Sequence, residues 1–87
     1  MLQGTTKSGF AYEIEDERLN NYELVEAIGE LEEYPVAISK VVNLLLGKKQ
    51  AEDLKNHVRS EDGFVPSEKI NEEIMDIFNA HGQIKNS

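Results

Sequence analysis

The chain has 87 residues, 39% of them hydrophobic, which suits one small core and leaves no room for a second. It has no cysteine, so neither disulfides nor thiolate metal sites hold it together, and its net charge of -8 makes duplex nucleic acid a poor partner because the phosphates would be repelled. The charge is unevenly placed: from Glu13 to Glu33 nine acids stand against one base, Arg18. Lys40 to Arg59 is basic on balance, and Glu61 to Asp76 is acidic again.

The opening "MLQGTTKSGF" has neither the basic region nor the apolar core of a secretion signal, and no apolar run approaches the length of a membrane span. A cytoplasmic protein with no membrane contact is expected. In "TTKSGFAYEI", Lys7, Ser8 and Gly9 suit a tight turn, and Phe10, Tyr12 and Ile14 alternate with Ala11 and Glu13 at the strand period of two. A two-stranded hairpin over residues 1–16 is predicted, its apolar face laid on helices because an isolated ribbon is only marginally stable.

The first helix starts near Asn20 or Asn21, both good N-caps, and Leu24, Val25, Ile28 and Leu31 form its apolar stripe. Pro35 closes this helix or opens the next, "PVAISKVVNLLLG", which only Ser39, Lys40 and Asn43 keep from being wholly apolar before Gly47 stops it. So broad an apolar surface has two readings. Either the helix is the centre of the core, or Val41, Val42, Leu44, Leu45 and Leu46 contribute to a partner-binding groove or an oligomer contact. A third helix, "KKQAEDLKNHVR", buries Ala51, Leu54 and Val58. A fourth, capped by Ser67, buries Ile70, Ile74, Ile77 and Phe78 with Met75 beside them. The fold class expected is mainly α: a small helical domain of about four helices with an N-terminal two-stranded β-hairpin. It is read as one domain over 1–87, with a helical bundle in 20–80 and a frayed tail in 81–87.

"HVRSEDGFVPSEKI" has the look of half a calcium loop, but its register is wrong. With Gly63 at the sixth position, the first ligand position falls on Val58 and the twelfth on Lys69, where a bidentate Glu is needed. An Asp62-Gly63 turn between helices is expected instead. "LLGKKQ" lacks the upstream glycine and the Ser or Thr of a phosphate loop. Glu72 and Asp76 share a helix face with Glu73 adjacent and read as solvated. His57 and His81 have no partner at ligand spacing. No catalytic, cofactor or metal residues are assigned, and the chain is read as a non-enzyme that needs no cofactor.

Across most of its length the chain resembles the tail assembly chaperones of long-tailed, siphovirus-type bacteriophages and prophages of Gram-positive bacteria. The resemblance rests on Gly9 and Phe10 in the hairpin and on Leu24, Glu26 and Ala27 in the first helix. It continues through Leu45, Leu46, Gly47, Gln50, Leu54 and His57 around the helix stop, and Asp62, Gly63 and Val65 at the last turn. It implies a protein of the host bacterial cytoplasm that coats the phage tape-measure protein and keeps it soluble until tail-tube subunits polymerise around it. The tail-tube protein and further copies of the chain itself are additional contacts, and a longer frameshifted product is common in such systems. On this reading the second helix supplies the apolar contact and the acidic first helix keeps the coated assembly dispersed. The alternative from another class is an acidic inhibitor whose Glu13 to Glu33 segment imitates DNA phosphates and blocks a basic nucleic-acid-binding protein.

Overall fold

Gly9, at φ 100°, reverses the chain where L-residues rarely can, and the turn closes on itself through Thr6 N to Phe10 O and Gly9 N to Thr6 O, both 2.9 Å. It joins strand β1 (Leu2–Thr5) to β2 (Ala11–Ile14), antiparallel, with Leu2 opposite Ile14 and Thr5 opposite Ala11. The computed structural model describes residues 1–81. The expected tail beyond 81 lies outside the described residues.

The hairpin alternation is as predicted: Phe10, Tyr12 and Ile14 are buried, and Ala11 and Glu13 are exposed. After it comes an element the composition hid, a single helical turn, α1 (Asp16–Leu19), in a stretch too acidic and too short to announce itself. Asn21 then caps α2 (Tyr22–Glu33), its side-chain oxygen accepting Glu23 N–H at 3.0 Å. The stripe that α2 buries is Leu24, Ala27, Ile28 and Leu31, spaced at three and four residues. Val25 is a correction to the expected stripe, since it stands 58% exposed on the other side.

A 3-10 turn at Pro35–Ala37 leads into α3 (Ile38–Val58), which holds both the second and third expected helices as two arms broken at Gly47 (φ 83°, ψ 165°). The break has a packing cause. At about 100° per residue, Val41, Val42, Leu45 and Leu46 would point to one side of a straight helix and Ala51, Leu54 and Val58 to roughly the opposite side. Only a break lets both stripes face one core, which Leu45, Leu54, Ile74 and Ile14 centre. α4 (Ser67–Ala80) adds Ile70, Ile74, Ile77 and Phe78. Ser67 is its first residue rather than its cap. Pro66 holds the cap position, and no side-chain cap bond is made.

The protein is therefore mainly α, four helices behind an N-terminal antiparallel hairpin, with strands and helices sharing one hydrophobic cluster.

Candidate functional site

The Gly47 break frees backbone groups that side chains then satisfy. Arg18 Nη1 donates to the Leu44 carbonyl (3.2 Å), and Gln50 Nε2 donates to the Leu46 carbonyl (2.9 Å). Gln50 also pairs like a third strand with the free edge of β2: its Oε1 accepts Glu13 N–H (2.8 Å) and its Nε2 donates to Glu13 O (2.7 Å). Several residues singled out in the sequence thus make structural features. Gly9, Gly47 and Gly63 hold the positive-φ positions, Leu45 and Leu54 sit at the core's centre, and Gln50 locks the break to the hairpin.

By bending α3, the break opens a cleft between its two arms and the start of α4. It measures about 200 Å³, floored by Ile38, Val42, Ala51, Val65 and Ile70, with Ser39, Asn43, Lys55 and Ser67 completing the lining. That is below the usual volume of a small-molecule site and suits roughly one large apolar side chain. The chain next to the floor residues is apolar and uncovered as well. Val36, two residues before Ile38, is 83% exposed, and Phe64, beside Val65, is 72% exposed. Lys55 is paired with Glu52 at 2.8 Å, and that ammonium holds the Glu52 carboxyl below its ordinary value. A larger hollow of about 490 Å³ over the hairpin is shallow and polar, and Gln50 already satisfies the Glu13 backbone on its wall.

The five residues assigned to partner binding from sequence fall mostly inside. Val41, Leu45 and Leu46 are buried, Leu44 is half-buried, and Val42 is nearly buried but lines the cleft floor. Of the two readings of "VVNLLLG", the structure places most of it in the core and leaves Asn43 exposed, Leu44 half-buried and Val42 at the cleft floor. Sequence reasoning missed Val36, Phe64 and Val65. The signal available was a Phe-Val pair directly after an Asp-Gly turn, ahead of any helix that would bury both.

A polar cluster that spacing could not reveal joins the hairpin to α3 and α4. Glu72, on the face read as solvated, is exposed and Asp76 is half-buried, while Glu73 beside them is buried. It accepts Thr6 Oγ1–H on Oε1 and Ser8 Oγ–H on Oε2, both at 2.6 Å. Each hydroxyl has one proton and spends it on Glu73, so His57 Nε2, 2.9 Å from Ser8 Oγ, must be the donor in that contact. Asp76 accepts Lys7 N–H at 2.6 Å, and His81 Nε2 meets Tyr12 Oη at 2.8 Å. In a nucleophilic triad the imidazole takes the serine proton and the carboxylate orients the imidazole. Here the carboxylate takes that proton directly and Gly9 N–H is spent on Thr6 O, so the cluster reads as a clamp on the hairpin. At the Asp62-Gly63 turn, Gly63 has φ 94° and its N–H reaches Ser60 O (2.9 Å) while Arg59 Nη1 holds its carbonyl (2.9 Å).

Among the described residues, no group of three or more His, Cys, Asp or Glu side chains is placed to hold a metal ion, and no helix is long and apolar enough to cross a membrane. A scan against protein-family models, a search of curated proteins and a search of solved structures each return no match.

Proposed function

We propose that this chain is a non-enzymatic tail assembly chaperone of the long-tailed phage type, acting in the bacterial cytoplasm on a tape-measure protein. The observation that carries the reading is the apolar cleft between the arms of α3 and α4, with Val36 and Phe64 exposed close in sequence to its floor residues Ile38 and Val65. A cleft sized for one side chain suits the knob of an amphipathic helix laid across it, the helix-in-groove mode of recognition. Many copies binding along one long helical partner need only weak single contacts, because avidity multiplies them. The net charge of -8 keeps such an assembly dispersed.

Capture from lysate of a phage-producing host tests the reading against its alternative. The immobilised chain should retain a tape-measure protein or a tail-tube subunit, and the Val36→Glu/Phe64→Glu double variant should lose the tape-measure protein. Retention of a nuclease or a repressor instead would favour the acidic inhibitor and overturn the chaperone.

A further inference from the structure

The outward side of α2 exposes two large apolar side chains and a glycine in its first two turns. Tyr22 (71% exposed), Val25 (58% exposed) and Gly29 recur at three and four residues, so they form one strip on the face opposite Leu24, Ala27, Ile28 and Leu31. Outward positions of a surface helix are normally polar, and nothing in the fold explains this departure. Glycine within a helix weakens it, and a Cβ placed on Gly29 would meet no atom within 4 Å, so no close packing in the chain asks for glycine there. A bare backbone on an outer face is what a second backbone needs in order to approach.

Glutamates flank the strip. Glu26 and Glu33 lie along one edge and Glu32 along the other, with Glu23 and Glu30 beyond, and α2 has no base of its own. Glu30 pairs directly with Lys40 Nζ at 2.9 Å, and that contact, with the charges of Glu26 and Glu23 adding to it, raises the Lys40 ammonium above its ordinary value, so one lysine is shared among three of the five glutamates. A second copy of α2 would bring the same charges against this face and be repelled, which leaves a cationic occupant. The apolar strip also separates this face from an imitation of polyphosphate, which has no apolar centre.

We propose that the outer face of α2 is a second docking surface, distinct from the cleft, and that its occupant is a basic amphipathic helix of a partner protein. The partner's apolar stripe would lie along Tyr22, Val25 and Gly29, with lysines or arginines set against Glu26, Glu32 and Glu33. Twelve residues of α2 present about 18 Å of surface, enough to engage about three turns of the partner.

The probe is a helical peptide of leucine, alanine and lysine with one leucine stripe flanked by lysines, titrated into the full chain labelled with nitrogen-15. Amide shifts are expected to concentrate on Tyr22–Glu33, and the same peptide with glutamate for lysine should produce none. Gly29→Gln keeps the charge and improves the helix, so its thermal midpoint should rise by roughly 3–8 °C. Its affinity for the peptide should nevertheless fall roughly tenfold or more, as for truncation of a central contact. Val25→Gln should weaken binding in the same way, while any shifts that the leucine stripe causes at Val42 and Val65 in the cleft should persist in both variants, which keeps the two surfaces separable. Shifts spread equally over the Glu61 to Asp76 acids, or equal affinity in Gly29→Gln and the parent chain, would overturn the proposal.

Discussion

Gly47→Ala should be strongly damaging for a change of one methyl. The backbone there, φ 83° and ψ 165°, lies in a region open in practice only to glycine, and holding an alanine in such a conformation costs about 1–3 kcal/mol. The new Cβ would also stand 2.7 Å from Arg18 Nη2. The guanidinium sits at the end of a flexible side chain and can move, but moving gives up its bond to Leu44 O, worth about 1–2 kcal/mol for a charged donor. The sum, about 2–5 kcal/mol, is a large fraction of the roughly 4–13 kcal/mol expected for a chain of this length, and corresponds to a fall of about 10–30 °C in Tm. Urea unfolding followed by circular dichroism measures it. Arg18→Ala alone should cost about 1–2 kcal/mol, and Gly47→Ala added to it should still cost about 1–3, because the backbone strain remains when the clash is gone. Full rescue by Arg18→Ala would mean that the clash was the whole effect. A Gly47→Ala chain that gains helicity without losing stability would mean that α3 can straighten, and would refute the argument that its two arms need the break.

Gln50→Ala should cost about 1 kcal/mol in urea unfolding, since the exposed Glu13 groups turn to water, whereas Gln50→Glu should cost more because a carboxylate cannot donate to Glu13 O or Leu46 O. Glu73→Ala takes the charged acceptor from the Thr6 and Ser8 hydroxyls, leaving them their longer 3.2 Å contact with each other, and should cost about 1–3 kcal/mol; Glu73→Gln, whose amide can still serve Thr6 and Ser8, should cost about 1. Burial, with the negative charge of Asp76 second, raises the Tyr12 phenol above its usual value near 10. A raised value means that the folded chain disfavours tyrosinate, so the Tyr12 contribution is intact below about pH 10 and is lost as pH climbs through the folded value. Tyr12→Phe should therefore show a shallower alkaline fall in its urea midpoint, and an unchanged slope would contradict this. Val36→Glu and Phe64→Glu, at exposed positions, should move stability by no more than about 0.5 kcal/mol each, checked by thermal melts.

Local chemistry made much of the fold legible in the sequence. The alternation of Phe10, Tyr12 and Ile14, the asparagine cap (Asn21, of the two candidates Asn20 and Asn21), the Gly47 stop and the Asp62-Gly63 turn each follow from a residue's own conformational or hydrogen-bonding preference. What was misread depended on which neighbour a side chain meets. Val25 is apolar at a helical spacing that fits the stripe, yet the face α2 turns to α3 is set by Leu24, Ala27 and Leu31, leaving Val25 outside. The burial of Glu73 was not legible because its hydroxyl partners lie 67 and 65 positions away in the hairpin turn. The candidate site was only partly legible for the same reason. The richest apolar run became core, and the cleft was assembled from single residues of α3, the turn and α4, with Val42 the one assigned residue on its floor.

Co-expression of the chain with a tape-measure protein, followed by measurement of the fraction of that protein left soluble, tests the chaperone reading most directly. The parent chain should raise the soluble fraction several-fold while Val36→Glu/Phe64→Glu, folded as judged by circular dichroism, should not. A tape-measure protein that stays equally insoluble with either chain, or is equally soluble with both, would contradict the role proposed for the cleft.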